Sequence, residues 1–497
     1  MKKTSNEIRK ESIKNKDKPN YRILWIAAFF VILFFCMAYY IADYSISNRK
    51  ELISNSYNTR QKILASHNIR GNIYSRDNDI LVESTINEDG VEIRDYKYGR
   101  VFAHAIGYAV NGKMGIESDA NYYLLNSNAP LSEKAGADSK GEKYQGDSVY
   151  STLDLKLQQV AYDSLGAYNG AVIVTEPSTG KILAMVSKPD FDPAEIGPKW
   201  DEFIKDEKKG VLLNRATQGL YPPGSTFKIV TALEYVRENP ENFADYKYQC
   251  GGSFKHGDDI IRCYHGSVHN DVNFTKSFAK SCNSSFANIG MMLDRDKFGI
   301  LLEDLLFNSD LPTDLVTSKC KLEVSSDTDD SDMIQIAIGQ GKVNVTPLWL
   351  NIVTCAIANN GVLYKPYIIE SVKNSKGKVI EQFKPIEYGS LIDKSEADLL
   401  QRLMEEVVIS GTATKLKDGP YYAGGKTGSA EFGEIKGESH AWFTGFAGMV
   451  NEDENENSID EIPDICVTII VEGAGTGADY AVPIAKRIFD AYYDIAI

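Results

Sequence analysis

One uncharged apolar run dominates the start of the chain, and β-strand periodicity returns far beyond it. The run covers residues 23–41, nineteen residues without a charge, which matches the hydrocarbon core of a bilayer. Runs of β-forming residues at 170–176 (GAVIVTE) and 181–187 (KILAMVS), separated by the turn PSTG, predict a β-hairpin. Further strands are predicted at 421–432, 440–450 and 464–473.

Helical periodicity fills the region between these strands. Apolar spacing predicts a helix in STLDLKLQQVAYDSL after residue 151 and mostly helical structure from 225 to about 310. Other helices are predicted at 346–360 and 395–410, with an amphipathic closing segment at 479–493. Strands at both ends of a helical block predict an α+β domain.

The first third of the chain has a looser texture. Residues 42–70 suggest a partly helical stalk, 70–84 alternate like strands around a turn at Asp77-Asn78, and 125–148 have the composition of a linker. We therefore predict a tail (1–22), an anchor (23–41), an N-terminal region with a linker (42–150) and a main domain (151–497).

The charge distribution gives the apolar run an orientation. The whole chain carries a net charge of −15, which argues against nonspecific nucleic-acid binding, whereas residues 1–22 carry +5. A cleaved signal peptide would have a shorter apolar region and a small-x-small cleavage site. An uncleaved single-pass anchor is favoured, with the N-terminus in the cytoplasm and the chain from about residue 44 outside it.

Cysteine usage fits a domain without a disulfide scaffold. Six of the seven cysteines lie outside the apolar run. One stretch mixes cysteine and histidine at spacings that superficially suggest zinc: Cys250, His256, Cys263, His265 and His269. For an exported protein we rank a Cys250–Cys263 disulfide first, unpaired thiols second and zinc third. The acidic stretch 451–462 is expected to be a solvated loop.

A serine and a lysine share one helix face at the end of YPPGSTFK. Ser225 alone would be explained as a helix cap, but Lys228 brings positive charge to the positive end of a helix dipole. Burial and positive potential favour a neutral amine, which can take the proton of a serine hydroxyl. The S-x-x-K pattern alone is weak, because it arises often by chance.

Two more motifs follow in a meaningful order. Ser281-Cys282-Asn283 lies in the helical block, and residues 426–429 read Lys-Thr-Gly-Ser in strand texture. S-x-x-K, S-x-N and K-T-G in this order are the signature of β-lactamases and penicillin-binding proteins. Segments such as RGNIYSRDNDILVES, MGIE, AIGQGKVNVTPLWL and HAWFTGFA also resemble the class B penicillin-binding proteins, those like penicillin-binding protein A. The resemblance covers nearly the whole chain from the anchor onward. It implies that 151–497 is a transpeptidase domain of the penicillin-binding and serine β-lactamase-like fold, and that 42–150 is a small pedestal or dimerisation-type domain with a linker.

The resemblance implies catalytic roles for four residues. Ser225 is the expected nucleophile, which forms an acyl-enzyme with a peptidoglycan stem peptide, and Lys228 is the expected base. Ser281 is expected to relay a proton to the leaving amine, and Asn283 to orient the substrate amide and hold Lys228.

Substrate-binding roles fall on the KTGS segment. Lys426 is expected to meet the terminal carboxylate, with Thr427 and Ser429 as further donors. Gly428 is expected to let the strand approach the ligand. The backbone N–H groups of Ser225 and Ser429 are the expected oxyanion hole.

The implied function is that of a β-lactam-sensitive D,D-transpeptidase without a cofactor. Its expected partners are D-Ala-D-Ala stem peptides, β-lactams, the cytoplasmic membrane and a membrane glycan polymerase. A D,D-carboxypeptidase, a β-lactam sensor or hydrolase, and a non-catalytic scaffold are the alternatives. The spacing Glu303…Asn308 is one residue too long for a class A hydrolase. Gly339-Gln340-Gly341 is expected to be structural rather than phosphate-binding, and Cys282 to be an inert buried thiol.

Overall fold

The computed structural model describes residues 21–47, 59–205, 210–432, 438–449 and 462–495. Nearly all of the tail predicted at 1–22 and of the acidic stretch at 451–462 lies outside these residues. The chain forms two units, Met1–Ile63 and Leu64–Ile497, and each is described by itself.

The first unit contains one long apolar helix, α1 (Tyr21–Ser47). Its stretch Tyr21–Ser45 has a mean hydropathy of 2.4 and is long enough to cross a membrane. It contains the run predicted at 23–41. The other helices, numbered α2 to α16, are Thr59–His67, Ala103–Ile106, Gly115–Asp119, Asn121–Leu125, Leu131–Lys140, Leu155–Leu165, Ile196–Lys205, Lys228–Glu238, Phe274–Ala279, Asn283–Met292, Arg295–Asp304, Asp330–Ala337, Pro347–Ala358, Lys394–Ile409 and Val482–Tyr492.

Nineteen strands are formed by the described residues. Strands β1 to β19 are Asn68–Ile69, Ile73–Tyr74, Ile80–Ile86, Glu92–Tyr96, Tyr144–Gln145, Ser148–Ser151, Gly170–Glu176, Lys181–Lys188, Lys247–Cys250, Ser253–His256, Asp259–Arg262, Asn270–Asn273, Val362–Tyr364, Ile369–Lys373, Val379–Gln382, Glu387–Ser390, Tyr421–Glu431, Ser439–Met449 and Ile465–Val471.

A five-stranded antiparallel sheet forms the centre of the second unit. Its order is β17-β18-β19-β7-β8, which leaves β17 at one edge. Every residue of β19 is buried, because α14 packs against this strand as well as against β7 and β18, while α16 also contacts β19. Polar contacts fix the layers: the Asn351 side chain accepts a hydrogen bond from Thr175, and the hydroxyls of Thr354 and Thr444 lie 2.6 Å apart. The predicted α+β fold is confirmed, and so is the hairpin at 170–187.

A second sheet has six strands in the order β15-β14-β6-β2-β3-β4. This sheet contains strands from both sides of residue 150, where a domain boundary was predicted. The boundary stays a prediction. The turn predicted at Asp77-Asn78 separates β2 from β3, and Asn78 has the positive φ of +72° that such a turn requires.

A buried carboxylate fastens the elements beside this sheet. Glu117, in the MGIE segment, receives hydrogen bonds from Arg70 Nε at 2.6 Å and Arg94 Nε at 2.8 Å. Glu117 is fully buried, and burial raises the pKa of its carboxyl, but the two guanidinium groups outweigh this and hold the pKa below its usual value.

Two sequence predictions differ from the structure. The block predicted as mostly helical from 225 is interrupted by strands β9 to β12, which form two short antiparallel pairs. We call residues 247–273 the finger. The linker-like stretch at 125–148 contains helix α6, and none of the residues of α6 is buried. A polar composition is therefore expected both for a linker and for an exposed helix, and it could not distinguish the two.

Candidate active site

Ser225 lies in a 3-10 turn, Gly224–Phe227, that runs directly into α9. The residue at the N-cap is Pro223, which makes no side-chain cap. Ser225 is half-buried inside the first turn, so the capping role that its position suggested is wrong. Its hydroxyl is available for other chemistry.

The turn is supported from two sides. Gly224 N–H donates to Gly339 O at 2.8 Å, and Trp442 Nε1 donates to Pro222 O at 3.0 Å. Gly339 has φ +76°, and a Cβ there would lie 1.9 Å from Gly224 O. The expectation that the Gly-Gln-Gly loop is structural therefore has a direct cause, since this loop braces the backbone beside Ser225.

Lys228 is fully buried and is held by the S-x-N turn. Its Nζ donates to Ser281 O at 2.8 Å, Asn283 Oδ1 at 2.7 Å and Ser281 Oγ at 3.3 Å. Desolvation lowers the Lys228 pKa to about 8, against smaller opposing effects of the Cys282 and Cys263 thiols. Within the described part of the chain, Nζ makes these contacts rather than a hydrogen bond to Ser225 Oγ, which the i, i+3 spacing had suggested.

A second buried lysine reaches the same serine from the edge strand. Lys426 Nζ, on β17, donates to Ser281 Oγ at 2.9 Å and to Thr427 O at 3.2 Å. Burial lowers the Lys426 pKa strongly, and the nearby Lys228 charge lowers it further. Among the described residues, no carboxylate lies within ion-pair distance of either ammonium group. Among the described residues, the site therefore holds two buried amines without a carboxylate partner.

The remaining predicted residues line the same strand. A Cβ on Gly428 would meet Pro223 O at 2.9 Å and the Thr226 side chain at 3.1 Å, so glycine here lets the strand approach the turn that carries Ser225. Ser429 Oγ accepts a 3.4 Å hydrogen bond from Gly477 N–H.

Thr427 has a partner that sequence reasoning missed. Its hydroxyl lies 2.5 Å from that of Thr412, in the loop after α15. Thr412 lies in the stretch ISGTATKL (409–416), in which no spacing or motif singles it out.

Beside the S-x-N turn lies a cluster of thiols. Cys250, Cys263, His269 and Cys282 place one ligand atom each within 4.8 Å of one another. The predicted Cys250–Cys263 disulfide is wrong for this structure, because the two sulfurs are 3.7 Å apart and both are free thiols, whereas a disulfide bond is about 2.05 Å long. Cys282, predicted to be inert, is part of the cluster.

The two remaining histidines of the sequence pattern lie elsewhere. His256 contacts Asp330 at 2.8 Å, and the His265 ring packs on Tyr264. They are not part of the cluster.

Residues 170–490 match the family described as the penicillin binding protein transpeptidase domain. The peptidoglycan D,D-transpeptidase PbpA of Mycolicibacterium smegmatis is 28% identical over 450 residues, which cover 83% of this chain and 87% of that protein. MrdA of Acinetobacter baumannii, also named a peptidoglycan D,D-transpeptidase, is 27% identical over 453 residues, 80% of this chain and 65% of that protein.

Solved structures agree with these relatives. Penicillin-binding protein A from M. tuberculosis, as a ceftriaxone acyl-enzyme complex, is similar at a TM-score of 0.76 and 25% identity, over 86% of this chain and 99% of that one. The D,D-transpeptidase domain of a peptidoglycan glycosyltransferase from Eggerthella lenta has a TM-score of 0.75 and 26% identity, with the same coverage. The family match covers well over half of the sequence, and this chain therefore belongs to the penicillin-binding proteins with a transpeptidase domain, of the class B type that its motifs predicted.

Proposed function

We propose that this chain is a serine-type peptidoglycan D,D-transpeptidase that crosslinks stem peptides through an acyl-enzyme at Ser225. The observation that carries the proposal is the pair of buried lysines that meet at one hydroxyl beside the nucleophile turn. Ser281 Oγ accepts from both Lys228 and Lys426. With both of its lone pairs occupied, its own proton is directed away from the lysines and toward a ligand.

Acylation uses these groups in sequence. Ser225 Oγ attacks the carbonyl carbon of the penultimate D-Ala, and neutral Lys228 takes the hydroxyl proton. A C–O bond forms and the amide C–N bond breaks. Ser281 passes a proton to the leaving D-Ala amine and is reprotonated from Lys228, so the proton removed from Ser225 leaves with the product.

Lys426 supplies the charge that recognises the donor. A buried ammonium without a carboxylate partner is costly, and the terminal carboxylate of D-Ala-D-Ala, or the carboxylate of a β-lactam, provides that partner. Thr427 and Ser429 add hydroxyl donors on the same strand. Backbone N–H groups of Ser225 and Ser429 are assigned to the oxyanion.

The second half-reaction returns the enzyme to its starting state. An amine of a neighbouring stem peptide attacks the ester carbonyl, a C–N bond forms, the C–O bond to Ser225 breaks, and the amine proton returns to Ser225 Oγ. Water in place of the amine would make the enzyme a carboxypeptidase.

Location and partner are part of the proposal. The long apolar helix α1 anchors the chain, and the +5 charge of residues 1–22 assigns its N-terminus to the cytoplasm and the catalytic domain to the outer side. A membrane glycan polymerase is the partner that such a crosslinking enzyme requires, because crosslinks join newly made strands.

The test is intact-protein mass spectrometry of the full-length chain in detergent after incubation with benzylpenicillin. Wild type should gain one long-lived adduct that Ser225→Ala lacks, while Ser139→Ala, on the exposed helix α6, keeps it. Rapid loss of the drug without an adduct would identify a hydrolase. An unreacted chain with intact drug would refute the acyl-enzyme, and growth supported by Ser225→Ala would favour the scaffold.

A further inference from the structure

Four side chains from separate segments converge next to the S-x-N turn. Cys250 ends strand β9, Cys263 follows β11, His269 precedes β12, and Cys282 is the N-cap of α11. All three cysteines are buried. Three sulfurs and one imidazole nitrogen form one of the ligand sets that structural zinc sites use.

Three of the six separations between the ligand atoms match the edges of one tetrahedral zinc site, and all six are within 4.8 Å. Cys263 Sγ lies 3.7 Å from Cys250 Sγ and 3.8 Å from Cys282 Sγ, and Cys250 Sγ lies 3.4 Å from His269 Nδ1. A tetrahedron with Zn–S of about 2.3 Å and Zn–N of about 2.0 Å has S···S edges of about 3.8 Å and S···N edges of about 3.5 Å. We propose that Cys250, Cys263, His269 and Cys282 bind a structural zinc ion.

The surroundings of the sulfurs favour metal-bound thiolates over a disulfide. Backbone N–H groups of Gly252 and Ser285 donate to Cys250 Sγ and Cys282 Sγ, both at 3.4 Å. The Ser284 hydroxyl lies 2.9 Å from Cys263 Sγ. A disulfide would use two sulfurs and leave the third thiol and the imidazole without a role, whereas a divalent ion uses all four groups.

The zinc ion connects the finger to the catalytic turn. Cys282 is the middle residue of Ser281-Cys282-Asn283, while the other three ligands belong to the finger. Ser281 adopts a left-handed φ of +54°, a conformation that costs a non-glycine residue energy and persists only where its surroundings fix it. The ion thus acts as a positioning group for Ser281 and Asn283. This second half of the proposal rests on the proposed function, while the binding of zinc does not.

Metal content of the full-length chain, purified in detergent without chelators, tests the site directly. Elemental mass spectrometry should find about one zinc ion per chain. X-ray absorption spectroscopy should show a first coordination shell of three sulfurs and one nitrogen around the zinc. Metal-free protein whose peptide map without reduction shows a disulfide among the three cysteines would overturn the proposal. So would zinc held in a shell that lacks sulfur.

Variants identify the ligands. Cys250→Ser and His269→Ala should lose tenfold or more of their zinc affinity, as should any variant that removes a ligand. Cys320→Ser, at a buried cysteine outside the cluster, should keep it. His269→Cys should retain zinc with four sulfurs in the absorption spectrum, which a merely misfolded variant cannot produce. A zinc affinity of Cys250→Ser equal to that of wild type, measured by competition with a chelator, would overturn the assignment.

Acylation tests the positioning role. Chelator-treated wild type should react with benzylpenicillin about tenfold or more slowly and recover when Zn²⁺ is restored. An unchanged rate in metal-free protein would overturn the link to the catalytic turn, with the zinc count deciding the site itself. A zinc-loaded chain that never acylates would instead count against the proposed function.

Discussion

Replacing Asn283 with aspartate would change the protonation of the proposed base without removing it. Asn283 Oδ1 lies 2.7 Å from Lys228 Nζ, so the Asn283→Asp variant introduces an opposite charge at hydrogen-bond distance. The other titratable groups that face this lysine are Lys426, from the edge strand, and the thiols of Cys263 and Cys282.

The expected loss of acylation rate at pH 7 follows from the Lys228 pKa of about 8. At pH 7 roughly a tenth of the amine is neutral and able to accept the Ser225 proton. A carboxylate this close raises a neighbouring pKa by about 1–3 units, which lowers the neutral fraction at pH 7 by about 10- to 1000-fold. The wild-type acylation rate should rise through a midpoint near pH 8. The rate of Asn283→Asp should fall at pH 7 and recover as the pH is raised.

The assay is the second-order rate of acylation by benzylpenicillin, measured by intact mass from pH 6 upward. Asn288→Asp is the matched control, since it adds the same charge to the same helix at a residue that bonds to Tyr246 instead. Its midpoint should stay that of wild type. If Asn283→Asp slowed acylation equally at every pH with an unchanged midpoint, Lys228 would not be the group whose proton limits the reaction.

Three further substitutions test contacts that stabilise the turn around Ser225 and the buried ion pairs of Glu117. Gly339→Ala should lower thermal stability and slow acylation, whereas Gly377→Ala, with a similar positive φ and open space around it, should cost only about 1–2 kcal/mol. Trp442→Phe removes one hydrogen bond to the nucleophile turn and should cost about 1 kcal/mol in thermal unfolding, with a slower acylation rate. Glu117→Gln should cost about 3–5 kcal/mol at neutral pH. Because the folded-state pKa of this glutamate is lowered, wild type should lose that stability as the pH falls through the folded-state pKa. The unfolding free energies of wild type and Glu117→Gln should therefore converge at low pH. The control Glu142→Gln should follow wild type at every pH.

Periodicity and motifs were enough to predict the central sheet and most of its helices. The reason is that β7, β8 and β19 are buried runs of β-branched and aliphatic residues, and the helices that cover them carry apolar faces. The finger could not be predicted in the same way. Its strands are four residues long and mostly exposed, so no buried face imposes a period of two on the sequence.

Within the candidate site, residue types were predictable and contacts were not. The i, i+3 spacing placed Lys228 near Ser225, but the direction of Nζ is decided by acceptors more than fifty residues away, at Ser281 and Asn283. The contacts of Cys282 could not be predicted for the same reason, since its partners belong to the finger. Local spacing predicts which residues share one face of a helix. It does not predict which distant turn packs against that face.

The site combines four segments that the chain brings together from far apart, and their mutual dependence has a physical cause. When both buried lysines are protonated, their charges repel one another, so each ammonium group must be held by hydrogen bonds strong enough to oppose that repulsion. Ser281 provides those bonds to both, and its left-handed backbone can be maintained only if the turn around it is fixed from outside. The Gly339 loop braces the turn that carries Ser225, and the proposed zinc ion would hold the S-x-N turn, so both supports lie directly beside the residues to which the proposal assigns the chemistry.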